Sequence, residues 1–304
     1  MPSDKTPVIE HLYNEYIAGR IANGIVMNDD IVRAINATGS KLSKSNPANF
    51  LKDIIRKESA NGNWPDALKK AGVTARQRYR EKRVFQFVNY APGQTEPFPD
   101  RFLPNALTRF YELQSATVPS VARALGRPEE SWLMQVVVAL RVVETHLSLF
   151  SPLRSRLHDV THLQMSRKTQ PEVDAVYLLS YANNNSTERD LYFAATCEAK
   201  QNGERILEDQ IREQVSVVFA QSKSIKHPPI SSVLPLAIQV REVDTPSGKR
   251  KGIFVVEFEA IERAAFEASY ESNKTFPEKL YGMPLTSAST AVYLLSPKVK
   301  GIDA

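Results

Sequence analysis

Apolar residues return along this chain with two different periods, and the period changes about a third of the way in. Over residues 7–20, 28–38 and 46–57 they recur every three to four positions, the spacing of one helix face. Pro7 suits the first turn of the first helix. Asn28 or Asp29 is placed to cap the second, which Thr38-Gly39-Ser40 ends. Asn46 is placed to cap the third, with Pro47 at its first position. A basic stretch and an extended apolar run, residues 84–88, follow. Pro92, Gly93, Pro97 and Pro99 then crowd residues 91–100, a composition that marks a connection. The division expected is a mostly helical domain over 1–90, a linker over 91–103, and a second domain over 104–304.

The second domain mixes both periods. Residues 104–125 read as a helix closing at Gly126 with Pro128 beyond, and 129–150 as one long apolar helix. Residues 160–166 alternate as a half-buried strand. Two runs rich in β-branched and aromatic residues, 172–179 and 191–200, flank the polar 183–188 and read as a β-hairpin. Ile206, Leu207, Ile211, Val215, Val218 and Phe219 give an amphipathic helix over 204–221. Strands follow at 234–240 and 253–258 around the turn Thr245-Pro246-Ser247-Gly248, then a helix over 260–271 and an edge strand over 291–295. A helix crossing between two strands implies a crossover connection, so the class is α/β with a mixed sheet.

The hairpin concentrates the chemistry. On a strand, residues i and i+2 face one side. Glu198 and Lys200 therefore point together, while Phe193, Ala195, Cys197 and Ala199 point to the core. Asp174 starts the strand that precedes them and lies across the hairpin. Two carboxylates and an ammonium thus converge at one end of a sheet. Oxygen ligands of this kind suit a hard divalent cation that keeps waters and substrate phosphate in its remaining positions. Taken alone, Glu-Ala-Lys is a common tripeptide, and such a pair is equally a solvated ion pair on a sheet face. His158 and His162 have no third ligand nearby in sequence and read as ordinary polar positions.

Asp174, followed by Glu198-Ala199-Lys200 at the end of the next strand, resembles the PD-(D/E)XK signature of restriction endonucleases and their relatives. Glu172, two positions before the Asp, is similar to a common variant of that signature. Gln210 stands ten residues after Lys200 on an expected helix, where many members place a Gln. Val173 stands where the name-giving Pro would be. The resemblance covers roughly residues 130–260. It implies a restriction-endonuclease-like mixed β-sheet flanked by helices. It also implies Mg²⁺, with Mn²⁺ substituting, held by Asp174 and Glu198. Lys200 would activate water or balance phosphate charge, and Gln210 would support the site. Glu172 is an additional metal candidate. So is Glu144 on the long apolar helix, for which a plain pairing with Arg141 or His146 is the alternative.

Charge adds a second theme. The chain carries a net charge of +5, yet Lys69, Lys70, Arg76, Arg78, Arg80, Lys82 and Arg83 fall within residues 68–83 against Glu81 alone. That is the footprint of a phosphate contact, or else a solvated face. Three helices, a basic stretch and an extended run suit a winged-helix DNA-binding module, whose third helix would enter the groove; a helical packing domain is the alternative. Arg167 and Lys168, just before the acidic strand start, either meet a scissile-strand phosphate or are turn residues.

Of 304 residues, 42% are hydrophobic and 24% charged, an ordinary globular balance. Cys197 is the one cysteine, so no disulfide forms within the chain and a reducing cytoplasm is expected. No secretory h-region is read near Met1. Residues 132–150 contain Gln135, Arg141, Glu144 and His146, which points to a buried helix and away from a membrane span. The expected function is a Mg²⁺-dependent endonuclease cutting double-stranded DNA in the manner of a type II restriction enzyme. It would act as a homodimer, beside a cognate DNA methyltransferase encoded elsewhere. The alternatives are a non-catalytic DNA-binding protein on a nuclease-like scaffold and an antiphage nuclease effector without strict sequence specificity.

Overall fold

The computed structural model describes residues 3–57, 59–78, 81–167, 172–182, 191–225, 229–246, 248–271 and 285–303. Contacts divide the chain into two units. One is Met1–Arg101 with Gly203–Asp209, the other Phe102–Asn202 with Gln210–Ala304.

In the first unit, α1 (Thr6–Ile17) has Pro7 in its first turn and buries Val8, Ile9 and Leu12. β1 (Ile25–Met27) leads into α2 (Asn28–Ala37), which buries Ile31, Ala34 and Ile35. The cap expected from Asn28 or Asp29 is instead made at Met27, whose N–H donates to Asp30 Oδ2 at 2.8 Å. A carboxylate in the first turn both satisfies an orphan donor and complements the helix dipole. The third helix expected over 46–57 breaks up. A 3-10 turn (Pro47–Asn49) precedes the single turn α3 (Lys52–Ile55), because Phe50, Leu51, Ile54 and Ile55 must all be buried. Short α4 (Ala60–Asn63) and α5 (Asp66–Lys70) follow.

The basic stretch is then a hairpin, β2 (Val73–Gln77) and β3 (Arg83–Asn89), in a three-stranded antiparallel sheet of order β1-β3-β2. Trp64 anchors this core, its indole N–H donating to Val73 O at 2.9 Å. The proline-rich residues that follow pack here too. Phe98 meets Trp64 edge-on at 5.0 Å, and Thr74 donates to Pro97 O. Residues 203–207, expected as helix, are non-helical; Leu207 packs on this core and Arg205 N–H donates to Arg56 O at 2.7 Å.

The second unit opens with β4 (Arg109–Gln114), where a helix over 104–125 was expected; only α6 (Ser120–Leu125) is helical there. Phe110 and Tyr111 favour extended backbone, and the parallel ladder with a later strand holds it. The long apolar segment forms two helices, α7 (Glu130–Ala139) and α8 (Val142–Leu149), because Arg141 adopts the left-handed conformation at φ 53°. Their bend is 60°, and no single helix among the described residues is long and apolar enough to cross a membrane. Next come β5 (Leu157–Arg167), β6 (Val173–Tyr181), β7 (Leu191–Lys200) and α9 (Glu208–Gln221). Then follow β8 (Ile230–Thr245), β9 (Gly248–Phe258), β10 (Ile261–Glu262), α10 (Arg263–Glu271) and β11 (Ser287–Ser296).

The strands form one mixed sheet in the order β4-β11-β9-β8-β7-β6-β5, with β10 on β8 off this path. β7 and β8 pair in parallel across the α9 crossover, and β11 pairs in parallel with β4; the other neighbours are antiparallel. β11 is therefore interior and β4 takes the edge expected of it. Helices flank both faces. Val136, Val137, Val143 and Leu147 of α7 and α8 pack on Ala175, Tyr177, Ala195, Cys197 and Ala199. Val215, Val218 and Phe219 of α9, with Phe266 of α10, cover Ala194, Ile230 and Val233 on the opposite face.

Candidate active site

The alternation of β7 decides which residues leave the core. Ala195, Cys197 and Ala199 go to the α7–α8 side, so Thr196, Glu198 and Lys200 go to the α9 side. β6 and β7 pair Ala175 with Cys197, and one further step along that register sets Asp174 opposite Glu198. Cross-strand neighbours have Cβ atoms about 5 Å apart. The Ala199 N–H donates to Asp174 Oδ2 at 2.7 Å, which fixes the carboxylate at the end of the hairpin.

Lys200, 2% exposed, lies at the centre. Its Nζ donates to Glu198 Oε1, to Ala199 O at 2.8 Å and to Glu130 Oε1 at 3.0 Å. Glu198 is fully buried and its second oxygen, Oε2, accepts from Gln214 Nε2. The same amide donates to Glu172 O at 3.1 Å, tying α9 to the start of β6. Three carboxylates, Asp174, Glu198 and Glu130, thus surround one ammonium.

The titration of these groups follows. Burial, and after it the nearby Glu130 and Glu172, push Asp174 up to about 6 against the pull of the Ala199 N–H and Lys200. Burial pushes Glu198 up to about 7; Asp174 and Glu130 add to the rise and Lys200 opposes it. Burial alone would lower Lys200, but Glu198, Glu130 and Asp174 outweigh it and hold the ammonium above the usual lysine range. Burial is thus the main cause of both raised carboxylates, and three carboxylates stand around one ammonium. Such a cluster gains from an added cation. Buried carboxylates with oxygen-only chemistry fit Mg²⁺ or Mn²⁺, which need one or two carboxylates and keep waters. Among the described residues no group of three or more His, Cys, Asp or Glu is placed to hold a metal ion, and both oxygens of Glu198 already accept hydrogen bonds. Buried Oε1 of Gln210 and Gln214 and Oγ1 of Thr196 have no hydrogen-bond partner among the described residues, a polar lining suited to water.

The structure revises the supporting cast. Gln210, 5% exposed, sits one helical turn before the residue that meets Glu198, so Gln214 holds the place expected of Gln210. Glu144 lies beyond the Arg141 break and pairs with Arg141 at 3.3 Å; it is not joined to the cluster. Glu130, at the first turn of α7, supplies the helix carboxylate instead. The acidic pair Glu129-Glu130 after Pro128 was the available sequence signal. Glu172 is exposed and contributes its backbone carbonyl and its charge. Cys197 is fully buried and burial drives its thiol well above the ordinary range, so it is inert.

Several of the basic residues are tied up. Arg78 is buried and donates to Gln86 Oε1. Lys69 pairs with Asp66 at 2.9 Å, and Arg83 with Glu81 at 2.5 Å. Arg76 is half-buried on β2, whereas Lys70 and Lys82 are exposed. Arg80, beside Tyr79, and Lys168 lie outside the described residues, as does the side chain of Arg167, which ends β5 opposite Val173. The footprint is thus smaller than the count of seven cations suggests.

No family model, curated protein or solved structure matches the chain.

Proposed function

We propose that this chain is a metal-dependent endonuclease that hydrolyses phosphodiester bonds of double-stranded DNA, built on a restriction-endonuclease-like sheet. The observation that carries the reading is the buried cluster of Asp174, Glu198 and Glu130 around Lys200, where two carboxylates converge across a hairpin end and exceed their compensating charge. Asp174 and Glu198 would hold Mg²⁺, with Glu130 beside them. When bound, the ion would lower the pKa of a water and offset charge developing on a phosphate. Lys200 stays protonated under these carboxylates, so it orients the attacking water or balances phosphate charge and does not act as the base. Gln214 holds the Glu198 carboxylate in place through Oε2.

The first unit supports DNA contact. α1 precedes β1, α2–α5 lie between β1 and the hairpin of β2 and β3, and the strands form a sheet of order β1-β3-β2, an arrangement that suits a winged helix. Exposed Lys82 stands at the hairpin tip and Lys70 just before its first strand. Cutting both strands with one cluster per chain is most simply done by a two-fold dimer.

The test is incubation of the purified chain with unmethylated plasmid and phage DNA, in Mg²⁺ or in chelator, beside Lys200→Ala. Discrete bands requiring both Mg²⁺ and Lys200 are expected. A metal-dependent smear would retain the nuclease and replace restriction with an effector lacking sequence specificity. Intact DNA with a metal-independent mobility shift would sink the catalytic reading in favour of a DNA-binding scaffold.

A further inference from the structure

A polar cavity of about 390 Å³ lies in the same unit as the carboxylate cluster but at the other end of the sheet. Strand directions establish this. β8 runs with β7, β9 runs against β8, and β11 runs against β9, so the start of β11 lies away from the Lys200 end of β7. The cavity is lined by Arg109 at the start of β4, Arg154 after α8, Ser289 and Thr290 of β11, and the apolar Leu149 and Phe150. No acidic side chain lines it among the described residues, and neither arginine has a carboxylate partner among them. Arg154 spends one N–H on Ser151 O at 3.1 Å.

Behind the wall lies a buried polar relay that the proposed nuclease reaction does not use. His146 is fully buried; its Nδ1 meets Tyr293 Oη at 3.1 Å and its Nε2 meets Ser289 Oγ at 2.8 Å. Ser289 donates to Glu257 Oε2 at 2.6 Å, and Ser151 donates to Glu257 Oε1 at 2.6 Å. One arrangement of hydrogens satisfies every member: Tyr293 donates to Nδ1, Nε2–H donates to Ser289, and both serines donate to Glu257. The relay locks Ser289 at the cavity wall. A register shift between Ser287 and Ser289 bends the strand at that point, and Thr290 Oγ1 is stitched to Thr108 Oγ1 at 2.9 Å. The cavity therefore has a fixed hydroxyl-bearing wall, two guanidinium groups and an apolar side.

We infer that this cavity binds a small phosphorylated ligand of mononucleotide size. Arg109 and Arg154 neutralise and fork onto the phosphate oxygens, as guanidinium groups do best. Thr290 adds a hydroxyl, and Leu149 and Phe150 face the apolar or aromatic part. The volume is within the range of ordinary small-molecule sites. The inference stands without the nuclease reading, because it shares no residue with the carboxylate cluster.

The experiment is calorimetric titration of the full chain with inorganic phosphate, the four ribonucleoside 5′-monophosphates, and the matching unphosphorylated nucleosides. Parallel runs use Arg109→Ala, Arg154→Ala and the double variant. The expected result is saturable binding of at least one monophosphate, at least tenfold weaker in each arginine variant. The unphosphorylated nucleoside should bind at least tenfold more weakly. Both arginines are exposed, so melting temperatures of the variants should match the parent and exclude misfolding. Absence of saturable binding in the parent chain overturns the inference, as does affinity unaffected by the double variant. Binding of duplex DNA that falls in the double variant, with no mononucleotide bound, would reassign the arginines to a DNA backbone contact and also overturn it.

Discussion

Replacing Glu198 by Gln removes one charge from a buried cluster that has too many of one sign, and the effect on stability should depend on pH. An ordinary glutamate titrates at 4.5, and Glu198 is pushed up to about 7. The folded chain therefore holds a proton there that the unfolded chain has lost, across the window from about 4.5 to about 7. A raised carboxylate contributes stability that is fully present below its unfolded value and is lost as pH rises through its folded value. The difference of roughly 2.5 pH units, at about 1.4 kcal/mol each, amounts to about 3 kcal/mol. Asp174, raised from 3.8 to about 6, acts in the same direction at lower pH. The two are coupled, so their effects do not add in full. In chelator, the parent chain should lose stability relative to Glu198→Gln by about 3 kcal/mol between pH 4.5 and pH 8. Urea unfolding of both proteins at half-unit pH steps measures this. At pH 8, saturating Mg²⁺ should restore the parent by about 2.7 kcal/mol at one hundred times its dissociation constant, and restore the variant far less. A parent-minus-variant difference that is flat with pH, or that grows in the parent's favour above pH 7, would refute the raised titration of the buried Glu198.

Three further outcomes follow from the same geometry. Gln214→Ala should cost about 1–2 kcal/mol and weaken Mg²⁺ binding about tenfold or more, while Gln210→Ala has a smaller effect on both, measured by urea unfolding and metal titration. Glu130→Gln should lower cleavage and bring Lys200 closer to the ordinary lysine range, whereas Glu144→Gln leaves cleavage within about twofold; single-turnover assays across pH separate the two. Lys82→Ala should weaken DNA binding evenly across sequences and reduce the salt slope by about 1, read from binding isotherms at several salt concentrations. A Lys82 slope equal to the parent's would remove the hairpin tip from the DNA interface.

The pairing of Glu198 with Lys200 and their place opposite Asp174 were legible from the chain, because strand alternation is a covalent period of two and a hairpin register runs through consecutive residues. The helix bearing Gln210 was legible for the same kind of reason, and Gln214 stands one turn further along it. Which of the two meets Glu198 was not, since residues one turn apart share a face and only the depth at which the helix docks on the sheet distinguishes them. Glu130 was hidden by distance: it stands 70 positions from Lys200, and the left-handed turn at Arg141 puts Glu144 on a separate helix. The strand at Arg109–Gln114 was read as helix because its alternatives are close in local propensity, and the decision came from pairing with β11 far along the chain. Local periodicity and capping chemistry therefore determined most elements and the paired Asp174, Glu198 and Lys200. Long-range packing decided the edge of the sheet, the break in the apolar helix, the third carboxylate and the amide that completes the cluster, because each depends on contacts whose partners lie beyond any local window.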